Sequence, residues 1–206
     1  MTLTVHLVRH GQTMFNVRGL VQGWVDSPLT EIGVEQARTV GLALASRPLV
    51  GVYASTSERA EDTANAIADH HRDLGVTRFK GLKELYFGEL EARTDEELQA
   101  GLDIGAFYAD MFAGRGPGLP GGESAEAYTR RVSSAFTSIV AGHPDGGEVA
   151  VVSHGITINM ILVASGWTSP GPLANASISI LRIPADGPRE VLAVGIPRIP
   201  DGLLWH

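Results

Sequence analysis

Arg9 and His10 stand side by side where an apolar run ends, inside Leu7-Val8-Arg9-His10-Gly11-Gln12-Thr13, with Asn16 three places on. A guanidinium presents a rigid fork of donors that matches a phosphate. A neutral imidazole is a nucleophile at ordinary pH. Together they form a phosphate clamp that carries its own attacking group. Arg59, Glu84 and His154 extend the set. In this chemistry His10 attacks phosphorus in line and forms a phosphohistidine. Arg9 and Arg59 hold the equatorial oxygens, where transition-state charge is spread. His154 adds a further donor to the same oxygens. Glu84 protonates the departing alkoxide, then takes a proton from the water that hydrolyses the phosphoenzyme. A dianion beside it favours the protonated form. No step asks for a metal or another cofactor.

These residues are far apart in the chain, so a fold has to gather them. Residues 3–8 have the β-branched and apolar content of a strand, closed by Gly11. Residues 30–47 read as a helix, with Ala37, Val40, Gly41 and Leu44 at helical spacing and Pro48 as the stop. A strand at 50–54, a helix at 58–72 and a short strand at 76–79 follow. Thr94 to Glu97 is a capping-box start for a short helix, and 115–122 is loop. A helix at 124–142 leads to a continuously apolar strand at 148–153, as in a sheet buried on both faces. A helix at 155–164 and strands at 177–183 and 190–194 complete the pattern.

This alternation predicts a three-layer α/β sandwich in one domain spanning 1–206. Its central sheet is mostly parallel, with helices on both faces and a small irregular or helical cap at about 82–124. Ligands of open α/β sheets sit outside the carboxyl ends of the strands. Arg9 and His10 follow the first strand, Arg59 the second, Glu84 the third, and His154 with Gly155 the strand at 148–153. One sheet edge therefore collects the whole set.

The 206 residues carry a net charge of −7, which argues against nucleic acid or an anionic membrane as the main partner. Hydrophobic residues make up 44% and charged ones 19%, an ordinary globular composition. The absence of cysteine excludes disulfides and thiolate metal sites. No signal peptide or long apolar run is evident, so the expected location is the cytoplasm. An exposed edge strand would permit a homodimer.

The chain resembles the histidine phosphatase superfamily, in its phosphoglycerate mutase-like branch. The resemblance rests on the segment from Leu7 to Thr13 with Asn16, on Gln22-Gly23, and on Asp26-Ser27-Pro28-Leu29-Thr30 with Gly33. Ser55 with Arg59-Ala60, Glu84 with Gly88 and Glu91, Pro120-Gly121-Gly122-Glu123-Ser124, Val152-Ser153-His154-Gly155 and Asn175 continue it in order. It implies His10 as the phosphorylated residue, Arg9, Arg59 and His154 as the rest of the phosphate pocket, and Glu84 as proton donor. Asn16, Gln22, Gly23 and Gly155 are the implied further phosphate or substrate contacts. The sequence departs from the pattern at Ser57-Glu58, at Gly19-Leu20 and at Ala92, where many members have Gly.

The expected activity is metal-independent hydrolysis of a small phosphorylated metabolite. The alternative is a cofactor-dependent phosphoglycerate mutase, and a remoter one is a non-catalytic phosphate-binding module. A mutase must keep water from its phosphohistidine. By resemblance, mutases do so with a longer middle insertion and a closing tail. Here the middle segment is modest and the tail 195–206 is short and rich in Pro and Gly, which favours hydrolysis.

Overall fold

The computed structural model describes residues 1–100 and 102–197. Its strands are β1 (Thr2–Arg9), β2 (Leu49–Ser55), β3 (Val76–Phe79), β4 (Gly147–Ser153), β5 (Ile178–Pro184) and β6 (Glu190–Ile196). They form one six-stranded sheet in the order β3-β2-β4-β1-β5-β6. The β3-β2-β4-β1 stretch is parallel throughout, and β5 pairs antiparallel with both β1 and β6. The helices are α1 (Met14–Arg18), α2 (Glu31–Leu44), α3 (Glu58–Ala68), α4 (Asp95–Gln99), α5 (Ile104–Phe112), α6 (Ala125–Ala141) and α7 (Gly155–Val163).

Strand periodicity divides the core in two. Val149 and Val151 of β4 face one cluster, with Val132, Phe136 and Ile139 of α6 and Ile158, Ile161 and Leu162 of α7. Ala150 and Val152 face the other, with Val40 and Leu44 of α2 and Ala60, Ala64 and Ile67 of α3. Successive side chains of a strand point to opposite faces, so an unbroken apolar run serves both layers. The result is the predicted α/β sandwich with a mostly parallel sheet.

Segment 82–124 packs on the α6–α7 face, through Leu82, Leu85, Phe87, Leu98 and Met111. Two elements escaped the sequence reading. Helix α1 buries no side chain, so it has no apolar stripe to detect; a capping box between Thr13 and Asn16 starts it. Helix α5 lies within the 82–124 cap, whose sequence pattern does not separate helix from irregular chain. The helix expected to reach residue 72 ends at Ala68, and the chain continues as turns, with the His71 N–H donating to the Ala68 carbonyl. No described helix is long and apolar enough to cross a membrane. The tail beyond residue 197, used above to weigh hydrolysis against mutase chemistry, lies outside the described residues.

Candidate active site

Strands β1 and β4 run parallel with Arg9 opposite Ser153, so the next residue of each strand emerges at the same edge. Those residues are His10 and His154, whose rings lie 5.2 Å apart between centroids and tilted by 59°. Strand β2 flanks β4 on its other side and ends at Ser55, whose hydroxyl lies 2.8 Å from Nε2 of His154. Helix α3 starts three residues later and places Arg59 in its first turn. Glu84 arrives after β3 through a 3-10 turn at Lys80–Leu82.

His10 is 4% exposed. Its Nδ1 lies 2.8 Å from the Gly11 carbonyl, which can only accept, so Nδ1 carries the proton and Nε2 is the free nucleophilic nitrogen. Burial, reinforced by the Arg59 and Arg9 guanidiniums, holds this imidazole well below its usual range. The same burial, with Arg59, His10 and Arg9 around it, lowers His154. Both rings are therefore neutral near pH 7.

The loop bearing His10 is wedged between two helices. Its Gly11 N–H donates to Thr63 of α3 at 3.0 Å. A Cβ on Gly11 would sit 2.4 Å from the Gly33 carbonyl in the first turn of α2. A Cβ on Gly33 would in turn meet the Gln12 carbonyl at 2.0 Å. Main chain meets main chain here.

Arg59 is 1% exposed and held as a fork. Its Nη1 donates to Asp26 at 2.8 Å and to the Val25 carbonyl at 3.3 Å, and its Nη2 to the Gln22 and Gly23 carbonyls at 3.2 and 2.9 Å. Gly23 thus acts through Arg59. The approach needs a bare Cα, because a Cβ at Gly23 would lie 2.1 Å from Glu91. Glu91 in turn accepts the N–H groups of Trp24 and Val25 at 2.6 and 2.9 Å, pinning the loop that grips Arg59. Arg9 is anchored through Nη1 to the Leu173 carbonyl.

Glu84 sits on the start of α7. One oxygen accepts the Ile156 N–H at 3.0 Å; the other accepts those of Leu85 and Thr157 at 3.0 and 3.1 Å. The Thr157 hydroxyl lies 3.1 Å from that second oxygen. His154, the residue before this helix, provides no side-chain cap, so Glu84 takes over the orphan amides and faces the positive end of the helix dipole.

Arg9, His10, Asn16, Gln22, Gly23, Arg59, Glu84, His154 and Gly155 all line one cavity of about 750 Å³. Four of them keep a buried side-chain nitrogen with no partner: Arg9 Nε, Gln22 Nε2, Arg59 Nε and His154 Nδ1. Asn16 spends its oxygen on the Thr13 N–H and the Asn175 amide, leaving its own NH₂ uncommitted. Unsatisfied buried donors are costly, roughly 1–3 kcal/mol each. Several of them lining one cavity suit an anion with several acceptor oxygens. Asp26 and Glu91 had no assigned role in the sequence. Nothing there marks them as supports of Arg59, since the contacts span 33 residues in one case and, through the loop, about twice that in the other.

Comparison with known proteins places the chain in a family. The chain is 35% identical over 161 residues to a Yersinia pestis protein named probable phosphoglycerate mutase GpmB, spanning 78% of this chain and 73% of that one. Phosphoglycerate mutase from Bacillus anthracis superposes with a TM-score of 0.79 at 29% identity, over 95% of this chain and 94% of that one. A mycobacterial glucosyl-3-phosphoglycerate phosphatase complexed with VO₃ superposes with a TM-score of 0.76 at 27% identity, over 87% and 90%. The profile of the histidine phosphatase superfamily (branch 1) matches residues 5–194, from within β1 to within β6, so the paired histidines and the two buried arginines are set in a chain that belongs to that superfamily.

Proposed function

We propose that the protein is a phosphomonoesterase that hydrolyses a small phosphorylated metabolite through a phosphohistidine on His10. The observation that carries this is the set of unpartnered buried nitrogens of Arg9, Gln22, Arg59 and His154 around the cavity that also holds His10. Nε2 of His10 attacks phosphorus as the ester P–O bond breaks. Arg9 and Arg59 carry the equatorial charge. With the Ser55 hydroxyl donating to Nε2 of His154, Nδ1 becomes a further donor to the phosphoryl group. Glu84 gives its proton to the departing alkoxide. It then takes one from the water that attacks phosphorus, breaking the P–N bond and releasing phosphate. None of these steps is routed through a metal.

The cover over the site supports transfer to water. It consists of α4, five residues, and α5, nine residues. A mutase reading is favoured instead by the names of the Yersinia and Bacillus relatives. One experiment separates the two: phosphate release from a panel of metabolite phosphates in the presence of a chelator, beside an assay of bisphosphoglycerate-dependent isomerisation of phosphoglycerate. Hydrolysis is expected to dominate, and isomerisation greatly exceeding it would establish the mutase. His10→Ala should abolish acid-labile phosphoenzyme. A purely binding protein would release no phosphate from any ester.

A further inference from the structure

Resting on the hydrolytic reading, the geometry points to a substrate class: we infer that the site takes a single phosphate joined to an apolar alcohol of about aromatic-ring size, with no second anionic group. The cavity extends well past the phosphate end. There its wall is formed by Phe15, Leu20, Ile104, Tyr108, Phe112 and Leu173. Phe15 comes from α1, Leu20 from the loop that follows it, and Ile104, Tyr108 and Phe112 from α5, so the leaving group lies between the cover and the body of the fold.

The charge distribution is one-sided. Arg9 and Arg59 are the only Lys or Arg side chains lining the cavity among the described residues, and both belong to the phosphate end. Arg18 adjoins the lining residues in sequence but is not part of the wall. Lys80, Lys83 and Arg131 are nearby in the fold, but they gather over the Trp24 ring at 5.4, 5.0 and 5.7 Å, outside the lining. The other carboxylate on the wall besides Glu84 is Asp95, at its exposed margin. A carboxylate or second phosphate on the leaving group would leave water without a cation to meet it and would face Asp95. An apolar group gains the wall instead.

The test compares phosphates of primary alcohols, so that the basicity of the leaving group is matched: 3-phenylpropyl phosphate, glycerol 1-phosphate and 3-phosphoglycerate. The phenylpropyl ester should have the highest kcat/KM, by about tenfold or more over either of the others. Equal or better turnover of 3-phosphoglycerate would overturn the inference while leaving the hydrolytic reading intact. No release from any ester would sink both. In Leu20→Lys, a cation placed on the apolar wall should shift the ratio toward 3-phosphoglycerate by about tenfold. An unchanged ratio in the folded variant counts against the assignment of the wall, and the wild-type panel stands whether or not this variant folds.

Discussion

The Glu84 carboxylate accepts the backbone N–H of Thr157 at 3.1 Å, so the expected proton donor is also the cap of helix α7. One side chain therefore has two separable jobs. Glu84→Gln keeps an acceptor oxygen for the cap but no titrating proton. Its turnover should fall by about 10²–10⁴ for esters with poor leaving groups and far less for activated aryl esters. An equal loss across leaving groups would contradict the acid role. Glu84→Ala should also lower stability by about 1–3 kcal/mol in urea denaturation, because the amides of Ile156 and Thr157 lose their partner.

Arg59 reaches the site with both terminal nitrogens already engaged by the loop from Gln22 to Asp26. Arg59→Lys keeps the charge but cannot fork. It should cost roughly a hundredfold or more in kcat and weaken vanadate inhibition in parallel. Asp26→Asn should give a smaller effect in the same direction. Unchanged vanadate affinity in Arg59→Lys would remove Arg59 from the phosphate pocket, and in Asp26→Asn it would show that the Asp26 charge is not what holds Arg59 in place.

Buried His10 and His154 are both lowered below the ordinary imidazole value of 6.5. Above that pH the rings are neutral in the folded and unfolded chains alike and contribute no pH dependence. Below it the unfolded chain takes up protons that the folded site refuses, so stability falls as the pH falls. Denaturation midpoints at about pH 7.5 and 5.5 should show this loss, and His154→Gln should flatten it. A slope identical to wild type would show that His154 is not held neutral. For the same reason, protonation of nucleophilic His10 should limit free-enzyme activity only well below the ordinary imidazole range.

Ala92 adopts φ +62°, a left-handed conformation, where the resembling family often has glycine. Its N–H donates to the Val21 carbonyl at 2.9 Å and Arg93 accepts from Val21 at 2.8 Å, which holds the turn in place. Ala92→Gly should relieve about 1 kcal/mol of strain, raising the denaturation midpoint without altering kcat. A lower midpoint would mean that the turn is not strained as described.

The sheet was legible because its signals are local. Val149 to Val152 form an apolar run, and such runs betray a strand covered on both faces. The nine predicted residues that line the cavity can be picked out in the sequence because each follows a strand or stands in a short motif. Their supports were not. Asp26 earns its role only by meeting Arg59, and Glu91 only by closing on the amides of Trp24 and Val25. The pairing of Arg9 with Ser153, which sets the two histidines side by side, depends on a register between distant strands that no local pattern encodes. Helix α1 was invisible for a different reason: it is started by a cap and buries nothing.

Gly11 and Gly33 touch without any side chain between them. The nucleophile thus inherits its coordinates from a helix that never meets the substrate. No rotamer is available to absorb a drift of α2, so a small displacement of that helix would register first as misaligned attack on phosphorus, in a molecule whose sheet is still whole.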